Sequence, residues 1–309
     1  MIRRGSCEAV AWVTGTRNLR KNTEVWPTPS WWVWRGLLLL PVLWLGLFFV
    51  LPLGVLVVYS FLTHQGYGNV LWRWTGENYA RLVNPVYGEI FLRSVGLALG
   101  TTLVCLVLGY PLALWLVCLP RRWRTGFLLL VIIPFWTNFL VRTYAWMVLL
   151  GQRGVINSLL LAMGMIKEPL NLLFTPLAVW IGLVYGYLPF MVLPLYSTLD
   201  KFDFNLVLAA QDLGANFWQV LYRVLIPLSA RGIGVGCLLV FIPSVGAFVT
   251  PDILGGAKSL MIGNVIQNQF LKTLDWPLGS ALSVTLMGLI LLPIVIYMAL
   301  LNHSEQRSY

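Results

Sequence analysis

"LAAQDLGANFWQVLYRVLIPL", residues 208–228, lies between two long apolar segments yet carries Gln211, Asp212, Asn216, Gln219 and Arg223. Its apolar residues recur at helical spacing, with Gly214 in the middle and Pro227 near the end. Asp203 is placed to cap a first helix running to about Leu213, which Gly214 ends as a glycine just past a helix does. Asn216 caps a second helix, with Gln219 completing a pair like a capping box. Phe217, Val220, Leu221, Val224 and Leu228 are expected on one apolar face, and Pro227 ends the turn or kinks the entry to the next segment. Ala209, Ala210, Gly214 and Ala215 make a patch of small side chains, which lets another surface approach the backbone closely. On physical grounds alone, a surface hairpin that tidies a loop and a docking element are equally good readings.

The rest of the chain fixes the solvent around this stretch. Of its 309 residues, 59% are hydrophobic and only 10% charged, with a mean hydropathy of +0.80. A water-soluble domain is about a quarter charged. A core cannot hide that much apolar surface, so a bilayer must be the solvent for most of it. The net charge of +10 falls in short clusters between apolar spans, which argues against nucleic acid as a partner. Cys7, Cys105, Cys118 and Cys237 form no paired motif, so neither a disulfide framework nor a metal site is indicated.

Crossing the hydrocarbon layer takes about 20 mostly apolar residues. Six segments qualify: 36–62, 92–119, 126–150, 174–198, 232–250 and 279–301. The first is too long for a signal-peptide core and lacks a small-residue cleavage site, so it reads as a retained anchor. Trp26, Trp31, Trp32 and Trp34 crowd its start, where indoles favour the interface. With the N-terminus inside, thirteen of the 21 basic residues fall on inner segments and seven on outer ones. The tight "PRRWR" turn at 120–124 weighs most in that comparison. Both termini and the 199–231 loop are therefore expected in the cytoplasm. The expected organisation is a tail over 1–35 with an interfacial tryptophan patch, a six-span domain over 36–301, and a second tail over 302–309.

Against this background the hairpin resembles a known motif. Inner-membrane permease subunits of bacterial ABC importers carry EAA-x3-G-x9-I-x-L-P in a cytoplasmic loop that docks into a groove of the ATPase. Here Ala209-Ala210, three residues, Gly214, nine residues and Val224-Leu225-Ile226-Pro227 keep that spacing. The family's glutamate is replaced by Leu208, which removes a charged contact there, and Asp212 in "DLGA" is the candidate for part of its polar role. "CLVLGYPLALWL" (105–116), "IIPFWTNFLVRTYAW" (132–146), "GLVYGYLPFMVLPLYS" (182–197) and "LGGAKSLMIGNVIQNQFLKTLDWPLGSA" (254–281) narrow the likeness to the B-type permeases of polyamine (spermidine/putrescine) importers, across about 36–300. The run after 254, with "DWP" at 275–277, is more specific to that branch than the hairpin spacing.

The resemblance implies an all-α membrane protein with six transmembrane helices of the type I ABC importer permease kind. It implies a bacterial inner-membrane location, a second permease subunit, two ATPase subunits and an external solute-binding protein. Leu208, Ala209, Ala210, Asp212, Gly214, Ala215 and Pro227 are then the ATPase-coupling residues. No cofactor is expected in this chain, ATP and Mg being bound by the ATPase. The residues agree: no lysine follows a glycine, so a phosphate-binding G-x4-G-K-[ST] loop is absent. Two histidines, His64 and His303, offer no imidazole metal cluster, and no serine has a plausible His/Asp set. The chain is read as a non-catalytic transport subunit. Permeases for iron-chelates, thiamine or opines share the hairpin and remain alternatives. A secondary transporter would need inverted repeats and membrane carboxylates, which the sequence lacks.

Arg142 is the one basic residue well inside a span. Asp252 in "FVTPDILGG" is the acid expected to pair with it at an outer gate, the other reading being that Arg142 snorkels to headgroups. A polyamine passage calls for aromatic faces. The candidates on the middle segments are Trp136, Tyr144, Trp146, Tyr185, Tyr187, Tyr196 and Phe248, with "YGYLP" (185–189) and "FIPSVGAF" (241–248) breaking helices where backbone lines a cavity.

Overall fold

The computed structural model describes residues 31–66 and 68–306. Residues 1–30 and 307–309 of the expected tails, with Trp26, lie outside what is described, as do the side chains of Trp31, Trp32 and Trp34. The chain divides into two units, Met1–Gly54 and Val55–Tyr309. In the first, α1 (Trp31–Leu45) runs through a π-helical turn, Gly46–Val50, into α2 (Leu51–Ser60). All side chains from 36 to 50 are exposed, as on a helix solvated by lipid or covered by another chain.

The second unit begins within α2, at Val55, and continues with a short antiparallel hairpin, β1 (Thr63–His64) and β2 (Val70–Leu71), which pairs Thr63 with Leu71. It continues with α3 (Glu77–Leu82), α4 (Pro85–Cys118), α5 (Arg121–Trp136), α6 (Phe139–Leu150), α7 (Val155–Ala162) and α8 (Pro176–Leu199). Next come α9 (Asn205–Asp212), α10 (Phe217–Val220), α11 (Ile226–Leu228), α12 (Ala230–Val245), α13 (Ile262–Leu271) and α14 (Trp276–Gln306). Among the described residues, five helical stretches are long and apolar enough to cross a membrane: Gly36–Ser60, Pro85–Cys118, Phe139–Ala162, Pro176–Leu199 and Trp276–Ala299. A sixth is counted if Phe217–Leu228 and Ala230–Val245, bent by 70° at Ser229, act as one.

The centre is a three-helix core of α4, α8 and α12. Cys105, Tyr110, Ala113, Val117, Met191, Leu195, Leu199 and Val240 are buried together there. Small residues set the spacing. A Cβ on Gly236 would meet Met191 Sδ at 2.7 Å, so α12 approaches α8 as closely as a bare backbone permits. A second cluster joins α4, α12, α13 and α14 through Ala98, Val245, Ile262, Leu278 and Leu282.

The stretch 126–150, expected as one span, is divided between α5 and α6. Pro134 cannot donate to a helical ladder, Thr137 is extended, and the Asn138 side chain accepts from Leu140 N at 2.8 Å to begin α6 afresh. "DWP" acts as a helix start. Asp275 accepts from Leu278 N (3.1 Å), capping α14, and its other oxygen accepts from Arg81 (3.0 Å) on α3. Asn78, also on α3, is buried and donates to the Ser60 and Leu62 carbonyls. These bonds pin the β1–β2 segment and α3 to the start of α14.

Candidate functional site

Residues 199–231 fold into a helix–turn–helix whose local chemistry follows the sequence closely. Asp203 Oδ1 accepts from Asn205 N at 3.0 Å, at the start of α9. At its end Gly214 N donates to the Gln211 carbonyl (2.8 Å) and Ala215 N to that of Ala210 (3.0 Å), the double bond of a Schellman motif. That motif needs a left-handed residue, and Gly214 has φ +83°. Asn216 and Gln219 exchange hydrogen bonds at 2.9 Å each, closing the capping box of α10.

The expected apolar face is redistributed. Val220 and Leu225 are buried, with Leu221 and Val224 half-buried, but Phe217 is 67% and Leu228 52% exposed. Phe217 stands at the open first position of a four-residue helix, and a π-helical turn over Leu221–Leu225 adds a residue that rotates Leu228 off the face. Leu208, Ala209, Asp212, Gly214 and Pro227 are exposed, and Ala210 and Ala215 half-buried. Beside them lie three exposed residues that pattern reading overlooked: Leu213 (89%), Trp218 (61%) and Tyr222 (62%). Trp218 and Tyr222 stack at 6.1 Å. Their four-residue spacing was visible in the sequence, but spacing alone does not say which way a short helix faces. Large apolar side chains are thus exposed on both sides of the turn, at Leu213, Trp218 and Tyr222.

The hairpin is tied to the helical core at both ends. At its entry, Arg124 Nη1 donates to Asp200 (2.6 Å), while its Nε donates to the Leu119 carbonyl (2.8 Å), linking the "PRRWR" turn to the end of α8. At its exit, buried Ser229 donates to the Leu225 carbonyl (2.7 Å) and accepts from Tyr110 Oη of α4 (3.0 Å). Phe204, Leu221 and Ile226 lie against the α4–α8–α12 core.

The other feature is an aromatic cleft of about 500 Å³ formed by the end of α5, the start of α6, α8 and α12. Phe135, Phe139, Arg142, Tyr187, Phe190 and Pro243 are among its lining residues. A hollow of about 240 Å³ shares Phe139, Tyr187 and Pro243 and reaches Phe248. Tyr187 Oη donates to the Pro243 carbonyl (3.2 Å), an acceptor in the last turn of α12, where helical donors run out. Of the candidate passage residues, Tyr187 and Phe248 meet here. Trp136 and Tyr144 are exposed and do not line the cleft, Tyr185 contacts Trp146 (5.4 Å), and Tyr196 lies against the central core.

The expected Arg142–Asp252 pair is not made in this structure. The segment holding Asp252 meets the C-terminal half of α6, where Leu150, Trp146 and Met147 surround Leu254 and Ile253. Arg142 is on the first turn of α6, and a helix rises about 1.5 Å per residue, which separates the two groups along the axis. Asp252 is exposed, whereas the Arg142 guanidinium lies over Phe135 (5.2 Å) and Phe139 (5.7 Å). Its buried Nε has no hydrogen-bond partner.

Known proteins bear directly on this arrangement. The "Spermidine/putrescine transport system permease protein PotB" of Escherichia coli (strain K12) is 50% identical over 252 residues, covering 81% of this chain and 92% of the relative. The protein of that name in Haemophilus influenzae is 44% identical over 254 residues, covering 82% and 89%. "Inner membrane ABC transporter permease protein YdcU" of Escherichia coli is 30% identical over 282 residues, covering 85% and 87%. Among solved structures, a bacterial ABC transporter involved in the import of the acidic polysaccharide alginate shares the fold at TM-score 0.66 and 18% identity, covering 89% of this chain and 96% of that one. The family described as "Binding-protein-dependent transport system inner membrane component" matches residues 105–308, a segment holding the hairpin, the aromatic cleft, α8, α12 and the last part of α4. The chain thus belongs to the inner-membrane components of binding-protein-dependent transport systems, as a multi-pass permease with the fold of ABC importers.

Proposed function

We propose that the chain forms half of the translocation path of an ATP-driven importer for polyamines such as spermidine and putrescine. The observation that carries this reading is 50% identity to a spermidine/putrescine permease over 252 residues. The chain is a non-catalytic subunit. It works with a second permease subunit, two ATPase subunits that hold ATP and Mg, and an external binding protein that delivers the cargo. Both termini and the 199–231 loop face the cytoplasm, and the six-span domain extends over 36–301.

In this reading the hairpin enters a groove of the ATPase with Leu208, Ala209, Ala210, Asp212, Gly214, Ala215 and Pro227. Leu213, Phe217 and Trp218 widen that contact. Movement of the hairpin reaches the path through Tyr110–Ser229 and Arg124–Asp200, since these bonds fasten it to α4 and α5. The path runs by the aromatic cleft, where Tyr187 and Phe248 offer ring faces and no carboxylate holds the cargo back. Weak sites suit a passage that must release what it carries.

The test is reconstitution in proteoliposomes with the ATPase, the second permease and the binding protein. ATP-dependent uptake of labelled spermidine that unlabelled putrescine competes for is the expected result. Uptake of an iron-chelate, thiamine or an opine with no polyamine uptake would overturn it.

A further inference from the structure

The Arg142 guanidinium is held in an unusual way for a charge among apolar helices. Its two contacts are the faces of Phe135 and Phe139, at 5.2 and 5.7 Å. Phe190 buttresses Phe135 edge-on at 4.9 Å, and Tyr187 lies 6.3 Å from Phe190. No residue lining the cleft is acidic. Among the described residues the guanidinium makes no ion pair, and its buried Nε is unpartnered. A structural arginine at depth is normally fastened by carboxylates or carbonyls. Arg142 is fastened by ring faces, the chemistry that recognises an alkylammonium ion.

We infer that Arg142 is a resident cation: its guanidinium fills an aromatic box that accepts an alkylammonium group of the cargo once the side chain swings out. The inference rests on the polyamine reading above and adds the site at which the cargo is met. The side chain is free to leave, because it breaks no hydrogen bond and is carried on a long flexible stem. It stands on the first turn of α6, directly after the Thr137–Asn138 break between helices. A filled box keeps stray organic cations out of an idle path. Like charges exclude simultaneous occupancy, so guanidinium and ammonium compete for Phe135 and Phe139.

The experiment is equilibrium binding of labelled spermidine to the assembled transporter, purified without its binding protein. Arg142→Gln should bind spermidine more tightly than wild type by about two- to thirty-fold, the worth of one competing cation–π contact. Arg142→Lys, which keeps the charge, should stay near wild type. Adding Phe135→Leu and Phe139→Leu to Arg142→Gln should remove the gain. Arg142→Met is a second neutral variant should the glutamine form not assemble. Equal binding by wild type and the neutral variants, or a gain that survives loss of both phenylalanines, overturns the inference. Uptake by the wild-type transporter with its binding protein is measured in parallel. Absence of polyamine uptake sinks the functional reading and the inference that rests on it, while wild-type uptake with no tightening in the neutral variants sinks the resident cation alone.

Discussion

Gly214 shows how much one residue can be asked to do. Its φ of +83° is what the Schellman turn requires, yet among the described residues nothing beyond its chain neighbours lies within 4 Å of where its Cβ would be. The backbone demands glycine, and the open space leaves room for the partner proposed to dock there. The two demands separate by mutation. Gly214→Ala should cost about 1–2 kcal/mol of local strain and leave ATPase recovery largely intact. Gly214→Trp should leave the permease in the membrane but abolish co-purification of the ATPase or uncouple hydrolysis from uptake. Membrane abundance, complex recovery and polyamine uptake are measured side by side, and normal uptake in Gly214→Trp would refute docking at this turn. The turn itself was legible because capping residues act within a few positions, as Asn216 and Gln219 do; Asp203, expected as the cap of α9, stands one residue ahead of the N-cap Phe204 and bonds Asn205 N instead. The environment of Arg142 was not. A lone arginine in an apolar segment suggests an acid partner, and no local pattern reveals that Phe135 and Phe139 supply ring faces instead.

At the level of helices, the ties at the ends of the hairpin can be tested as pairs. Tyr110→Phe and Ser229→Ala each remove a buried hydrogen bond that contributes about 1 kcal/mol. If the bond transmits motion, the single variants should lower uptake per ATP hydrolysed and the double variant should add little to either. Independent, additive losses would show that the two side chains act separately. A second prediction concerns "DWP". Asp275→Asn keeps an oxygen for the cap of α14 but sets an NH2 donor against Arg81 in place of the buried carboxylate oxygen, so it should lower thermal stability. Asp275→Ala loses the cap as well and should cost about 1 kcal/mol more, read from melting of the purified protein. Equal melting temperatures would remove capping from the account. Helix existence was readable from apolar runs, but the division at 137–138 was not. Mean hydropathy passes smoothly over "PFWTN", whereas Pro134 and the Asn138 cap act on hydrogen bonds. The π-helical turn at Leu221–Leu225 escaped for a similar reason. It has no compositional mark, and it alone moves Leu228 off the expected face.

For the whole molecule, orientation is the open physical question, and the chain carries its own reporter. Cys118 is exposed at the end of α4, next to the "PRRWR" turn, while Cys105 is buried. In a Cys7→Ser background, a membrane-impermeant thiol reagent should label Cys118 in inside-out vesicles and leave it untouched in intact cells. The reverse pattern would invert the topology. The exposed Leu213, Phe217, Trp218 and Tyr222 have a consequence for the life of the subunit before assembly. If the hairpin is the ATPase dock proposed above, newly made chains whose ATPase has not yet arrived should show the cytosol a greasy face that quality-control proteases read as damage. The ATPase would then act as a chaperone by occupancy, and the cell's stock of permease should follow the supply of its partner. In pulse–chase experiments the subunit made alone should decay faster than the subunit made with its ATPase. Leu213→Ser with Trp218→Ser should narrow that difference, and unchanged decay would leave orphan turnover to some other signal.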